Sequence, residues 1–295
     1  MKKGKKGFLI VNPYLIGDKF SELEGLLSEA FFKRDLILTV RYSDEFVDMI
    51  GDKIDLRGEA GFAVFYDKDH YLAEALESSG LKVFDSSAAI RLCDNKAETC
   101  IALKNAGIRI PKTIIAPKTF ENVGYNRFDT LDRAISVLGL PLVIKEFYGS
   151  FGKQVYLAET RRQAEEILRS VGGKPVIFQE FIKESSGKDL RVNVVGGKVV
   201  ACIKRSNDND FRSNIAGGGR AESFEPTKAQ EEVALKAAKA VGADWCGVDV
   251  LLNDGEPMVI EVNSNMHFAG TYSATGVNVA DHMAEHVFKS LLLGN

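Results

Sequence analysis

The stretch GVDVLLNDGEPMVIEVNSN, residues 247–265, constrains the fold more than any other part of the chain. Two apolar runs of strand length flank an Asp-Gly dipeptide, which is typical of a hairpin turn. A three-residue loop at 254–256 would pair Asp249 with Glu261. Because side chains alternate between the two faces of a strand, Asn263 then lies on the same face as Glu261. The stretch predicts a buried antiparallel hairpin that carries two carboxylates and a carboxamide.

These acids need a partner inside a hairpin of this kind. Directly opposed side chains have Cβ atoms about 5 Å apart, and like charges at that distance repel. A cation, a proton or an arginine would relieve the repulsion. A hard divalent ion such as Mg²⁺ fits best, because it takes oxygen ligands from one or two carboxylates together with substrate phosphates. A register slip would instead leave both acids on a solvated face, and these residues alone leave the two interpretations equally open.

Composition sets outer limits on the class of protein. The 295 residues, 45% of them hydrophobic and 27% charged, are enough for two or three compact units. A net charge of -3 gives no sign of the excess of basic residues that nucleic-acid-binding proteins have. No apolar run reaches membrane-spanning length, and the run after the basic start is interrupted at Asn12-Pro13, too early for a signal peptide. Four cysteines without a CxxC pair predict reduced thiols and a cytoplasmic protein.

The pattern of predicted strands and helices divides the chain into regions. Short β-like runs alternate with helical patterns up to about residue 85, which predicts a small α/β domain with a parallel sheet at 1–85. A helical connection follows at 86–110. Strand and helix patterns then alternate through 111–183. The last region, 184–295, contains a hairpin with Gly196-Gly197 at its turn, a polar glycine-rich loop, a helix and the acidic hairpin. The predicted class is α/β, with α+β character in the C-terminal half.

Three further features could carry chemistry. Lys145 lies inside the apolar run LVIKEF, where an ammonium is costly unless an anion neutralises it. The stretch YGSFGK, residues 148–153, is a glycine turn that could bring backbone N–H groups close to phosphate, although a plain hairpin turn is the better explanation of the glycines taken alone. The segment 204–220 is either a solvated loop or a flexible anion clamp, because it combines three glycines with four cations: Lys204, Arg205, Arg212 and Arg220.

The order of these pieces resembles the ATP-grasp superfamily. A strand lysine, a glycine turn, QEFI, DLRVNVV, FRSNIAGGG and the acidic hairpin follow one another as they do there. More closely, the chain resembles the RimK-like ligases, which join an amino acid through its amine to a carboxylate acceptor. The resemblance covers about residues 90–290. It implies an ATP-grasp fold, with a small subdomain at 111–183 and a catalytic subdomain at 184–295. The first 85 residues resemble the family's N-terminal domain only in pattern.

The resemblance implies roles in nucleotide binding. Lys145 and Lys96 would bind the phosphates of ATP, and the turn containing Gly149, Ser150 and Gly152 would close over them. The segment from Gln179 to Ile182 would form the hinge, where Glu180 and Phe181 offer backbone groups to adenine. Asp189 would hold the ribose hydroxyls.

The resemblance also implies the reacting centre. Mg²⁺, with Mn²⁺ as an alternative, would be held by Asp249, Glu261 and Asn263. The reacting carboxyl and the transferred phosphate would face Arg191, Arg212 and Asn214. ATP would first phosphorylate the acceptor carboxylate, and the amine of the amino acid, with glutamate favoured by family analogy, would then displace phosphate.

Alternatives and open points remain at this stage. A kinase acting on a small molecule and a non-catalytic nucleotide-binding protein are the competing hypotheses. Where many relatives have Pro-Gly after the acidic strand, this chain reads Ser264-Asn265-Met266-His267-Phe268. That departure leaves open whether the acceptor is a small molecule, a peptide or a protein C-terminus. The resemblance is compatible with a homo-oligomer and predicts neither a nucleic-acid nor a membrane partner.

Overall fold

The computed structural model describes residues 4–15, 17–46, 56, 59–253 and 255–293. The helices within these ranges are α1 (Asp18–Phe32), α2 (His70–Ser78), α3 (Ser87–Asp94), α4 (Lys96–Asn105), α5 (Asp129–Leu138), α6 (Arg161–Ser170), α7 (Lys228–Val241), α8 (Ala269–Thr275) and α9 (Val279–Leu293). The strands are β1 (Lys5–Val11), β2 (Leu36–Tyr42), β3 (Phe62–Tyr66), β4 (Lys82–Phe84), β5 (Thr113–Ile115), β6 (Leu142–Glu146), β7 (Val155–Ala158), β8 (Val176–Glu180), β9 (Lys188–Val195), β10 (Lys198–Ser206), β11 (Arg220–Ser223), β12 (Trp245–Leu251) and β13 (Met258–Asn263).

The N-terminal sheet is parallel, in the order β2-β1-β3-β4. Its central strands are apolar on both faces because helices cover both sides, as is usual for parallel sheets. Leu9 and Val64 face one core with α1 and α9, whereas Ile10 and Phe65 face another with α2. The polar residues that follow β1 and β3 therefore meet at one edge of the sheet, where its carboxyl ends lie.

The middle sheet is antiparallel, in the order β5-β8-β6-β7, and α5 and α6 cover one face. Its central strand β6 is buried throughout, including Lys145 and Glu146. Helix α4 packs against the other side, where its Ala97 and Cys100 share a small core with Ile177 of β8. The side chain of Asn95 accepts hydrogen bonds from two backbone amides of the first turn, and this cap starts α4 at Lys96.

The C-terminal sheet is antiparallel, in the order β11-β10-β9-β12-β13, with α7 packed on one face. The predicted hairpin of β9 and β10 forms around Gly196-Gly197, both of which have positive φ. In the acidic hairpin, Asp249 lies opposite Glu261, as predicted. The predicted register also holds for Gly247 and Asn263, and it is wrong only on the turn side of Asp249, where a bulge pairs Val250 with Val259. Asp254, at the predicted turn, lies outside the described residues.

The parallel N-terminal sheet and the antiparallel sheets that follow confirm the predicted mixture of α/β and α+β structure. The boundaries at residues 85, 110 and 183 stay predictions. All four cysteines are free and buried. Across the described ranges, none of the helices combines the length and the apolar character that a membrane span requires.

Candidate active site

A cleft of about 480 Å³ opens between the three sheets. It is lined by every site residue that the resemblance implied: Lys96, Lys145, Gly149, Ser150, Gly152, Gln179, Glu180, Phe181, Ile182, Asp189, Arg191, Arg212, Asn214, Asp249, Glu261 and Asn263. Residues up to 167 positions apart in the sequence thus share one cavity. Their individual roles stay predictions, and the contacts described below refine several of them.

Two buried lysines stand at the centre of the cleft. Lys145 extends from β6 and Lys96 from the first turn of α4, and each is 8% exposed. Burial lowers the pKa of Lys145, and the carboxylate of Glu261 partly opposes that effect. The ammonium of Lys96 lies 3.4 Å from Glu261. Two ammonium groups with a single nearby carboxylate make this region suited to the phosphates of a nucleotide.

The glycine turn between β6 and β7 covers one side of the lysines. The carbonyl of Gly149 lies 3.4 Å from the ammonium of Lys96. Gly152 has a φ of +74°, and a β-carbon there would lie 2.7 Å from the side-chain oxygen of Asn214. Only glycine combines this conformation with such a close approach. The turn therefore packs directly against the loop that follows β10.

Arg212 joins these two loops. Its guanidinium donates to the carbonyls of Gly152 at 2.8 Å and Val155 at 3.4 Å. Asp210 orients it by accepting bonds from the backbone amide and from two guanidinium nitrogens. The hydrogen bond to Asp210 raises the pKa of Arg212 and lowers that of the carboxyl group. Arg212 thus holds the glycine turn in this structure, and its predicted contact with the transferred phosphate stays a prediction.

The acidic hairpin is neutralised by protein side chains. Asp249 is 2% exposed and receives two bonds from Arg191 and one at 3.0 Å from Arg205. Burial would raise the pKa of Asp249, but the two arginines outweigh it and lower the pKa. Burial likewise opposes ionisation of Glu261, and the neighbouring lysines, Lys96 first, lower its pKa. An arginine, one of the partners that the sequence left open, thus neutralises Asp249, and the metal-binding roles of both acids stay predictions.

The strand order explains this network. Strand β9 lies between β10 and β12, so that Arg191 pairs in register with Asp249, and Asp189 with Arg205. A β-carbon at Gly247 would lie 2.7 Å from the side chain of Arg191, so glycine leaves room for the guanidinium. Arg205 also bonds Asp189 at 2.7 Å and its pKa is raised by both acids against the effect of burial. If Asp189 also binds the ribose hydroxyls, as predicted, its carboxylate must accept hydrogen bonds from the ribose and from Arg205 at the same time.

The predicted hinge lies at the end of β8. The backbone amide of Glu180 donates to the carbonyl of Lys112 at 2.9 Å, so the backbone group that Glu180 could offer to adenine is its carbonyl, and this role stays a prediction. An amide for the base would have to come from Phe181 or Ile182. The side chain of Gln179 is buried and donates to Thr113 at 3.0 Å. Its amide group therefore links β8 to β5, and the N–H that makes this bond is not free to bind a ligand in the cleft.

The N-terminal sheet contributes residues that the sequence analysis missed. Asn12 follows β1, and Asp67 and Lys68 follow β3, and all three line the cleft. Asn265 and His267, whose roles were left open, line it from the segment after β13. Polar residues directly after buried parallel strands were the available signal, because ligands gather at the carboxyl edge of such sheets.

The charge of the cleft favours an anion. Among the described residues that line it, seven lysines and arginines face five carboxylates. A polyanion such as a nucleotide triphosphate would find a net positive field there. Four of these carboxylates (Glu180, Asp189, Asp249 and Glu261) are paired with arginine or lysine, and Asp67 is the exception among the described residues.

A metal would therefore arrive with the phosphates rather than be held by protein alone. The described residues contain no cluster of three histidine, cysteine or acidic side chains that could bind one. Glu261 and Asn263 do fit, since both line the cleft from one face of β13 and the amide nitrogen of Asn263 is already directed to Gly247. Asp249 can join them only by sharing its oxygens with the arginines. An all-oxygen set with few protein ligands is what Mg²⁺ bound to phosphates prefers.

Comparison with known proteins agrees with this geometry. Residues 93–287 match the model of the RimK-like ATP-grasp domain. The probable alpha-L-glutamate ligase of Psychromonas ingrahamii is 37% identical over 263 residues, which cover 86% of this chain and 81% of that protein. A RimK domain ATP-grasp protein from Sphaerobacter thermophilus superposes with a TM-score of 0.74 at 21% identity, covering 95% and 98% of the two chains. D-alanine–D-alanine ligase from Bacillus anthracis, solved with ATP, gives a TM-score of 0.72 at 19% identity, covering 98% of each.

The fold and the matching family model together define a protein of the ATP-grasp class, as the resemblance implied. The chain belongs to the RimK-like ATP-grasp family. It is a ligase that forms a C–N bond, so the hypothesis of a non-catalytic nucleotide-binding protein is set aside.

Proposed function

We propose that this ligase converts an acceptor carboxylate into an acyl phosphate and couples it to the amine of an amino acid, with L-glutamate preferred. The observation that carries the proposal is the meeting of Lys96, Lys145 and the glycine turn with Glu261 in one cleft. The amino acid is proposed from the relatives, which are named probable alpha-L-glutamate ligases. The acceptor is proposed only as a carboxylate.

The reaction has two balanced steps. An oxygen of the acceptor carboxylate attacks the γ-phosphorus of ATP, and ADP leaves with the electron pair of the broken P–O bond. The amine nitrogen then attacks the carbonyl carbon of the acyl phosphate. A C–N bond forms, phosphate leaves with the electron pair of the C–O bond, and the nitrogen loses a proton. Negative charge develops on oxygen in both steps.

The residues of the cleft suit that charge. Lys145 and Lys96 would hold the phosphates, and Arg191, kept in place by Asp249, would face the oxygen that becomes charged on the acceptor. Mg²⁺ held by Glu261 and Asn263 would supply further neutralisation of phosphate oxygens. The glycine turn and Arg212 would exclude water, which otherwise hydrolyses an acyl phosphate.

The test is ADP release measured across a panel of amino acids and carboxylate acceptors, with mass spectrometry of the products. We expect ADP release that requires both an acceptor and an amine, largest with L-glutamate, and a product heavier by one amino-acid residue. Lys145→Met should abolish release, because an apolar side chain cannot hold phosphate. ADP release that needs no amine and yields a phosphorylated product would instead identify a small-molecule kinase.

A further inference from the structure

The N-terminal edge of the cleft contains an acid that the proposed reaction has not used. Asp67 is 4% exposed, although a carboxylate is rarely buried without a cation. Its oxygens accept bonds from the side-chain amide of Asn12, at 3.0 and 3.2 Å, and from the backbone amide of Lys68 at 2.7 Å. The ammonium of Lys68 bonds to Asp94 instead, at 2.8 Å. Among the described side chains, no cation pairs with Asp67.

A second acceptor lies beside it. The side-chain nitrogen of Asn265 donates to the carbonyl of Tyr66, the residue that precedes Asp67. That bond fixes the orientation of the amide, and its oxygen is buried with no donor in the described part of the chain. Both residues line the cleft. A carboxylate without a cation and an amide oxygen without a donor are matched by a ligand that is positively charged and rich in N–H groups.

The subsite also adjoins the reacting centre. The ammonium of Lys68, next to Asp67 in sequence, lies 3.5 Å from the carbonyl of Gly149 in the turn over the phosphate lysines. A group bound at Asp67 is therefore close to the turn that closes over the acyl phosphate. A nucleophile that attacks the acyl phosphate has to be bound at such a position, next to the intermediate.

We propose that Asp67 and Asn265 form the binding subsite for the primary ammonium group of the incoming amino acid. The ammonium donates to the carboxylate of Asp67 and to the amide oxygen of Asn265. Asn12 holds the carboxylate in position. The ammonium gives one proton to that carboxylate, and the nitrogen, now a neutral amine, attacks the acyl carbon from the N-terminal side of the cleft. This inference rests on the proposed function, since it assigns the place of the amine in that reaction.

Asp67→Asn is the first test, because it removes the charge and keeps the shape. The acceptor and the amino acid are those identified by the ADP-release panel described above. We expect the KM for the amino acid to rise about 10- to 100-fold, since losing a hydrogen bond to a charged group typically weakens binding by about that factor. The KM for ATP should stay within about twofold. Asp69→Asn is the matched control. Asp69 lies two residues further on, is exposed and caps α2, and we expect no change in the KM for the amino acid.

Hydroxylamine separates the two steps. It is a small nucleophile that attacks an acyl phosphate to give a hydroxamate and phosphate, and it has no need of a subsite for an amino acid. We expect Asp67→Asn to form hydroxamate at the parental rate while coupling of the amino acid falls. Asn265→Leu, on a different element, should show the same pattern and serves if Asp67→Asn fails to fold.

The outcomes are distinguishable. A parental KM for the amino acid in both variants would overturn the subsite, and so would equal losses toward ATP, hydroxylamine and the amino acid. In either case the proposed function would stand. A parent protein that forms neither hydroxamate nor amide would overturn the proposed function itself.

Discussion

At the residue scale, the central finding is that each acid of the hairpin already has a cationic partner. Asp249 is held by two arginines, and Glu261 lies next to Lys96. The sequence alone left open a metal ion, a proton or an arginine as the partner of the two opposed acids, with Mg²⁺ as the best fit. The structure shows acids that help to hold cations in place, and those cations are the groups suited to bind phosphate.

We expect Glu261→Gln to lower the free energy of unfolding of the metal-free protein by roughly 1–2 kcal/mol at pH 7. The change removes the negative charge that faces Lys96 and Lys145, and the cost stays below that of a fully buried pair because Glu261 is 29% exposed. It should also abolish the Mg²⁺-dependent part of the stabilisation by ATP. Thermal and denaturant unfolding with and without Mg²⁺ and ATP measures both effects. Glu256→Gln, on the exposed part of the same hairpin, is the control.

The difference in unfolding free energy between the parent and Glu261→Gln should depend on pH in a defined direction. The pKa of Glu261 is lowered from its ordinary 4.5, so the unfolded chain binds the proton more tightly than the folded protein. The stability from its charge is present above about pH 4.5 and is lost as the pH falls through the lowered pKa. The gap between parent and Glu261→Gln should therefore shrink below pH 4.5. A full Mg²⁺-dependent shift in the variant would contradict the role of Glu261 as a metal ligand.

At the element scale, the glycine turn and the loop after β10 act on the cleft together. Arg212 is the link, and Asp210 orients it through three of its nitrogens. Apart from a short 3₁₀ helix at Ile215–Gly217, the two loops have no helix or strand of their own in the described residues. The bonds from one guanidinium to carbonyls of the other loop therefore determine how well the two cover the phosphates.

We expect Asp210→Asn to lower coupled turnover about tenfold and to increase ADP release that is not matched by amide formation. Without the carboxylate, Arg212 loses about 1.5–3 kcal/mol of charge-assisted bonding, the loops separate more often and water reaches the acyl phosphate. The ratio of ADP to amide is the measurement. Asp208→Asn is the matched control from the same loop, because Asp208 pairs with Arg220 where both side chains are exposed. Equal ratios in the two variants would show that Arg212 does not depend on Asp210.

At the scale of the whole molecule, the N-terminal and C-terminal sheets are joined through a buried acid. Asp85, which follows β4 directly, accepts bonds from the backbone amides of Asp244 and Trp245 at the start of β12. Its other oxygen is buried without a hydrogen-bond partner in the described residues. Burial raises the pKa of Asp85 well above 3.8, and the charge of Asp244 adds to that effect. The contact between two domains thus includes a carboxyl group that favours its protonated form.

We expect Asp85→Asn to gain stability relative to the parent as the pH rises from 4 to 8. The folded protein holds the Asp85 proton more tightly than the unfolded chain does. The stability contributed by that proton is therefore present below the ordinary pKa and is lost as the pH rises toward the raised one. Asparagine keeps the oxygen that accepts the two amides and never ionises. Urea unfolding of both proteins across this pH range gives the comparison, and parallel stability curves would refute the expectation.

Local pattern was enough to predict much of this protein. The lysine within a strand, the glycine turn and the acidic hairpin were all predicted from hydrophobic periodicity and from turn residues. These local signals hold wherever a strand lies in the molecule, because side chains always alternate along it. The pairing of Asp249 with Glu261 was predicted from a three-residue loop at 254–256 and is confirmed. The order of motifs was sufficient to predict the family and the ATP-grasp fold.

The partners of those residues depended on tertiary structure. Arg191 and Arg205 meet Asp249 only because β9 and β10 are neighbours of β12 in the sheet, and strand order is a non-local property. The bulge after Asp249 shifts the pairing by one residue, and the turn signal in the sequence did not indicate it. Asp67 reaches the cleft because the N-terminal sheet directs its carboxyl edge there. The sequence by itself determined which residues share a strand face, and the assembled sheets decided which charges meet, since Coulomb energy depends on distance in space and on burial.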